Sequence, residues 1–278
     1  MNSTPPPTVD DGMSQRDYAA PSVFTPENML RYARLQKGLP EMAVPEICLL
    51  DPDGDIVRRL REAGRLERHP GWACYHTQLD VFALDGEAIG IVGCAVGASF
   101  AVLVAEQLFA DGCRFLLSVT SAGAIAERTP GSCFILIDRA LRDEGTSAHY
   151  LPPAGFVDAD PGLIAPVMAA LSATPARVRR GTAWTTDAPF RETERAIARA
   201  HALGALAVEM EAAALYAFAA ARGRAVLCVA HVTNEMARKD GDFDKGEADG
   251  TTEALAIVAA ATRAWRGLGA VRAAIPAA

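Results

Sequence analysis

Positive charge is in short supply in this chain: 27 Lys and Arg stand against 34 Asp and Glu, a formal net charge of -7. Proteins that grip nucleic-acid phosphates carry a basic stripe, so that class is excluded. No Cys-x-x-Cys occurs among the six cysteines at 48, 74, 94, 113, 133 and 228. Most sit in apolar stretches and read as small hydrophobes of a reducing cytoplasm. Cys74 and His76, with His69 nearby, lack further ligands at metal-binding spacing and read as a surface segment. No metal and no cofactor is expected. No apolar run reaches membrane-spanning length, so no membrane partner is expected. The start, Met1-Asn2-Ser3-Thr4-Pro5-Pro6-Pro7, is polar and proline-rich rather than a signal peptide. Internal repeats and domain linkers are also missing.

What is present is apolar bulk. Half of the residues are hydrophobic and 22% are charged, enough for one compact domain with a sizeable core. Residues 1–21, with Pro5-Pro6-Pro7, Asp10-Asp11 and Gly12, have little to bury and read as a loosely draped arm. Residues 22–278 read as a single domain.

Along that domain, short apolar strands alternate with helices, which predicts an α/β fold with a largely parallel sheet. Thr25-Pro26-Glu27-Asn28 opens a helix, with Thr25 as N-cap and Pro26 at the first position, and Gly38-Leu39-Pro40 stops it. Strands are predicted over 44–50, 87–92, 115–119, 134–138 and 177–182. Helices are predicted over 56–63, from about 99 to Asp111-Gly112, and over 161–171, 191–201 and 252–265. Asp51-Pro52-Asp53-Gly54-Asp55 is an acidic strand-to-helix turn without the remaining ligands of a calcium loop. Arg58 and Arg59 lie one turn later and read as a solvated helix face. Residues 238–250 read as a charged, exposed loop.

The stretch from Leu206 to Met236 organises the rest. An apolar strand runs into Glu209-Met210-Glu211, a strong helix former follows with its stop at Gly223, and a second apolar strand ends in Thr233-Asn234. One carboxylate at a helix start is an ordinary cap. Two at i and i+2 point in opposite directions on extended backbone, so one can hold the fold while the other faces a pocket. A pocket carboxylate is a natural acceptor for the two hydroxyls of a vicinal diol such as ribose.

Val208-Glu209-Met210-Glu211-Ala212-Ala213-Ala214-Leu215-Tyr216 resembles the signature of the nucleoside phosphorylase family. That family includes uridine phosphorylases, hexameric purine nucleoside phosphorylases and methylthioadenosine/S-adenosylhomocysteine nucleosidases. Gly181-Thr182-Ala183-Trp184-Thr185-Thr186-Asp187-Ala188-Pro189-Phe190-Arg191-Glu192-Thr193 is similar to the base-side segment of its uridine phosphorylase-like branch. Arg142-Asp143-Glu144-Gly145-Thr146-Ser147 and Tyr150-Leu151-Pro152-Pro153 resemble a loop of the same branch.

The resemblance implies a three-layer fold with a central mixed sheet flanked by helices. It implies cleavage of a nucleoside's N-glycosidic bond, in a homo-oligomer built on dimers. By the same likeness Glu211 holds the ribose hydroxyls and Met210 packs on the sugar, with Glu209 beside them. Thr185, Thr186, Asp187, Phe190 and Arg191 fall on the base side. Asp187 is equally readable as the cap of the helix that follows. Asn234 stands where uridine phosphorylases also carry Asn, orienting a base carbonyl and leaning towards pyrimidines; Glu235 follows it. Glu211, Asn234 and Asp187 form the expected catalytic set, with Glu235 or Asp187 able to act as an acid if burial raises its pKa. Ser121, Ala122 and Gly123 stand at the family's phosphate loop; Ser121 keeps its hydroxyl, and the Ser-Ala-Gly wording is closer to the nucleosidase members, which use water. Three phosphate arginines of the family are missing: one after Asp51-Pro52, one where Ser118 stands, and one where Val81 stands. Phosphate as co-substrate therefore stays open beside water as acceptor, with Asp53 or Asp55 as candidate base for water. A nucleoside-binding protein without catalysis is the third reading.

Overall fold

The computed structural model describes residues 16–125, 133–235 and 247–274. Residues 1–15 of the arm and 236–246 of the charged loop lie outside the described residues, as do 126–132 and 275–278. The strands are β1 (Ile47–Asp51), β2 (Glu67–Arg68), β3 (Asp80–Leu84), β4 (Glu87–Gly93), β5 (Phe115–Ala124), β6 (Cys133–Asp143), β7 (Phe156–Asp158), β8 (Val178–Thr186), β9 (Ala205–Glu209) and β10 (Ala225–Glu235). The helices are α1 (Pro26–Lys37), α2 (Asp55–Glu62), α3 (Ala98–Ala110), α4 (Pro161–Leu171), α5 (Glu194–Ala202), α6 (Ala212–Arg222) and α7 (Thr251–Ala274).

The sheet is evenly mixed, as the family resemblance implies, rather than largely parallel as the strand–helix alternation alone suggests. Strand β1 lies parallel between β4 and β5. Beyond β4, the antiparallel hairpin partner β3 and then β2 complete that edge. On the other side, β5 pairs parallel with β10, β10 antiparallel with β6, β6 parallel with β8, β8 parallel with β9, and β9 antiparallel back onto β5. Those five strands therefore close on themselves, and β5 belongs both to the closed ring and to the open wing. Closure removes edges from the ring, so its apolar strands offer no free ladder for aggregation.

Helices α1, α3 and α6 pack together over the sheet, and α2, α4 and α7 form a second packed group. The α6 helix, whose start carries Glu211, is pinned from below. The buried Tyr216 hydroxyl donates to Ile137 O of β6 at 2.6 Å and accepts from Cys228 N of β10 at 2.9 Å. One side chain thus ties the helix across two strands of the ring. Trp265 of α7 stacks on Phe115 at 5.2 Å between centroids.

Several boundaries follow the sequence reading. Thr25 caps α1 and Gly38 ends it at φ 63°; α4 spans the predicted 161–171. Others move. β5, β6 and β8 each run four or five residues past their predicted ends, through Thr120–Ala124, Arg139–Asp143 and Ala183–Thr186. Polar and small residues stay extended there because neighbouring strands of the ring supply hydrogen-bond partners. β3 was not predicted, although the Asp85-Gly86 pair, at φ 50° and 83°, is a two-residue hairpin signal. Cys74 and His69 are buried rather than on the surface; only His76 of that trio is exposed. Among the described residues, no three His, Cys, Asp or Glu side chains are grouped as a metal would need, and no helix is long and apolar enough to cross a membrane. Of the arm, residues 16–21 are described: Asp17 caps the Ala19 and Ala20 amides, and the Tyr18 hydroxyl reaches Ala148 O at 3.3 Å.

The turn before α7 is tightly built. Ala248 and Asp249 are left-handed at φ 49° and 54°, and Gly250 follows at φ 68°. A Cβ on Gly250 would stand 2.3 Å from the ring of His231, which itself stacks on Phe134 at 4.4 Å. Strain and clash act together, so Gly250→Ala is expected to cost about 2–4 kcal/mol. A thermal melt within one degree of wild type would show that the turn yields freely.

Candidate active site

The strand ends converge around the start of α6. The β5–β9 ladder pairs Gly123 with Val208 and Ala124 with Ala207. β8 runs beside β9 and sets Thr185 against Glu209. β1 and β4 end on the same edge at Asp51 and Gly93. In α/β folds, ligands collect at such convergences of strand ends.

The two carboxylates have different partners. Glu209 caps the start of α6. One oxygen accepts from the Glu211 and Ala212 amides at 2.8 and 2.7 Å, and the other accepts from the Thr185 hydroxyl. The Thr185 oxygen in turn accepts from Ala213 N at 3.0 Å. These bonds satisfy three of the free N–H groups at the start of α6. Thr185, fully buried, is thereby engaged in the cap.

Glu211 is 1% exposed and makes no cap of its own. Its Oε1 accepts from Gly97 N at 2.7 Å, and its Oε2 is buried with no partner. Gly97 can present that amide because it sits at φ 90°, ahead of α3, where a side chain would be strained. Burial pushes the Glu211 carboxyl up to about 8, and the charge of Glu209 adds to this. The Gly97 amide and the Thr120 hydroxyl pull the other way but do not win. Glu209 is also raised by burial, offset by its Thr185, Glu211 and Ala212 donors. A buried carboxyl with an idle oxygen is a costly arrangement for a fold alone.

Across from Glu211 lies the acidic turn. Asp51, 2% exposed, accepts from Val57 N at 2.8 Å and so caps α2. Burial raises it to about 7, with Asp53 and Asp55 adding. Asp53 is exposed and accepts from Ser121 N at 2.6 Å. Ser118 is buried in β5 with an unpartnered hydroxyl, and Val81 is half-buried in β3. Arg58 and Arg59 lie on the solvated face as expected and are paired there: both meet Asp249 at 2.8 Å, and Arg58 also meets Asp55 at 3.0 Å.

The base-side residues are gathered less tightly. Thr186 is buried and accepts from Ala188 N at 3.2 Å. Asp187 does not cap α5; Thr193 does, accepting from Ala196 N at 3.2 Å. Asp187 instead accepts from Gly145 N at 2.8 Å and ties the neighbouring loop. That loop is braced by Arg142, which donates to Ser147 Oγ, Pro152 O and Leu151 O. Phe190 is 98% exposed and Arg191 is exposed, so the described residues do not enclose either of them. Glu192, half-buried, is pushed up to about 7 by burial. Met210 is partly buried beside Glu211, and Ala122 and Gly123 are buried in β5. The backbone of Asn234 and Glu235 runs beside Gly123 and Ala124 after a bulge at Thr233; their side chains lie outside the described residues.

Neither Gly97, whose amide holds Glu211, nor Thr120 was among the expected site residues. The only local mark of the first is a glycine ahead of a helix, which tight packing explains equally well.

This ring of strands with its buried glutamate defines a class. A family model described as the phosphorylase superfamily matches residues 41–264, and the chain belongs to that superfamily. A DeoD-type purine nucleoside phosphorylase of Shewanella frigidimarina (strain NCIMB 400) is 27% identical over 153 residues, which cover 54% of this chain and 65% of that relative. The match thus spans just under two thirds of the relative's length. Two structures of uridine phosphorylase from Vibrio fischeri ES114 share the fold. One is 21% identical with a TM-score of 0.66, over 80% of this chain and 93% of that one. The other, complexed with 6-hydroxy-1-naphthoic acid, is 20% identical with a TM-score of 0.62, over 80% and 88%.

Proposed function

We propose that this protein cleaves the N-glycosidic bond of a nucleoside, with the pentose held by Glu211 and Met210. The observation that carries the reading is the idle, buried Oε2 of Glu211 at the convergence of the strand ends. A sugar hydroxyl that donates to this oxygen satisfies it, and a second hydroxyl can share the remaining lone pairs. As positive charge develops at C1′ during bond cleavage, a nearby carboxylate stabilises it. Membership of the phosphorylase superfamily supports the same chemistry. Asp187, through the loop it ties, borders the base side, and Asn234 on β10 is the candidate partner of the base.

The test is a panel of purine and pyrimidine nucleosides incubated with the purified protein, with and without inorganic phosphate. Free base is read by chromatography, and binding by calorimetry. Base release from at least one nucleoside is expected. If no nucleoside binds and none is cleaved, the reading fails.

A further inference from the structure

A cavity of about 550 Å³ lies between the ends of β6 and β8 and the helix α5. It stands on the far side of β8 from the α6 cap. Thr185 turns towards that cap, so its neighbour Trp184 points to the opposite face. There Trp184 packs with Ala200 of α5 and donates its indole N–H to Asp143 Oδ2 at 2.9 Å. Leu141, Ala196 and Leu203 complete the apolar part of the wall, and Leu203 is 43% exposed. A cavity of this size accommodates a small organic molecule.

The rest of the wall is cationic. Arg142, Arg195 and Arg199 line it against a single acid, Asp143. Arg142 gives its donors to three neutral oxygens, Ser147 Oγ, Leu151 O and Pro152 O, so these bonds do not neutralise its charge. Among the described residues, no carboxylate pairs with Arg195 or Arg199. Elsewhere this acidic chain matches its guanidinium groups: Arg34 with Asp111, Arg61 and Arg68 with Asp80, Arg139 with Asp158, and Arg180 with Asp138. Arg195 and Arg199 stand four apart on α5, where like charges repel. The fold by itself gains nothing from placing both on one concave wall.

We propose that this cavity binds a small organic phosphate monoester. Arg195 and Arg199 hold its phosphate, and Leu141, Leu203 and the edge of Trp184 receive its apolar body. Three positive charges against one negative leave two, which a phosphate dianion supplies. Guanidinium forks match its oxygens, and Arg142 adds its field without leaving its three partners. Inorganic phosphate alone would leave the apolar wall in contact with water. A ligand here lies behind β8, apart from Glu211, so the proposal is independent of the nucleoside-cleaving reading.

The probe is phenyl phosphate, titrated by calorimetry into the full chain, with inorganic phosphate and phenol as separate titrants. Phenyl phosphate is expected to bind at least about 10-fold more tightly than either. The double variant Arg195→Gln/Arg199→Gln is expected to weaken it at least about 10-fold. Both positions are exposed on α5, so the variant should fold as wild type does. Glu211→Gln should leave the affinity for phenyl phosphate unchanged. A crystal of the wild-type complex should show the phosphate within hydrogen-bonding distance of both guanidinium groups, a readout that needs no variant. The proposal is overturned if phenyl phosphate does not bind, or binds no better than inorganic phosphate. It is also overturned if the double variant binds it as wild type does. Affinity lost in Glu211→Gln but kept in the arginine variant overturns it too, by moving the ligand to the strand-end site.

Discussion

Glu211→Gln is expected to make the protein more stable and to stop it working. A carboxyl raised from its ordinary value of 4.5 to about 8 keeps its proton in the fold where the unfolded chain has lost it. The native state then binds more protons than the unfolded state between those two pH values. Stability falls as pH rises through that window, and the full cost is present above it. Gln carries no such cost. It should therefore raise stability by about 2–4 kcal/mol above pH 8, and by nothing near pH 4. The gain is read from denaturant melts at the two pH values.

Function should move the other way. Sugar hydroxyls donate to a carboxylate better than to an amide, at about 1.5–3 kcal/mol for each charged hydrogen bond. Two such bonds correspond to a loss in kcat/KM on the order of 10²–10⁴. In wild type, a nucleoside that favours the charged carboxylate should release a proton on binding below pH 8. Calorimetry in buffers of different ionisation heat would detect it. A Glu211→Gln protein with normal turnover removes position 211 from the sugar site. The same holds if binding releases no proton.

Glu209→Ala should cost stability heavily. It strips the acceptor from the Glu211 and Ala212 amides and from the Thr185 hydroxyl, all buried. Orphaned buried donors cost about 1–3 kcal/mol each, offset in part because a buried carboxyl is removed as well. A net loss of about 3 kcal/mol is expected, or a Tm lower by roughly 6–12 °C in a chain of this size. Glu209→Gln, which keeps one oxygen for the two amides, should recover part of it. If Ala and Gln variants melt alike, the cap does not hold α6 in place. Because Glu211 N is one of the capped amides, the Ala variant should also weaken nucleoside binding more than Gln does.

The division of labour between these two carboxylates marks how far sequence alone reaches. Two acids bracketing Met210 suggested unequal roles, and the structure gives Glu209 the cap and leaves Glu211 with an unpartnered oxygen. The family signature around them pointed to Glu211. No local pattern could supply what makes Glu211 costly, because its partners come from elsewhere: Gly97 lies 114 residues away in sequence. Asp53 shows the same limit from the other side. Its acidic turn and the missing arginines were plain to read, yet its bond to Ser121, 68 residues away, was not. Asp187 was read as a possible helix cap, and the Thr193 hydroxyl took that position instead.

Composition and periodicity by themselves determined an α/β domain, most helix ends and the strand-to-helix turns, and the motif over residues 208–216 carried the resemblance to the family. Caps, glycine stops and apolar spacing act within a few residues, so they are written locally. Tertiary structure alone decided the closed ring of β5, β10, β6, β8 and β9, the extended backbone through Thr120–Ala124, and which acid is left with an idle oxygen. Each depends on pairing or desolvation by distant segments. Those energies arise only when the chain has closed on itself.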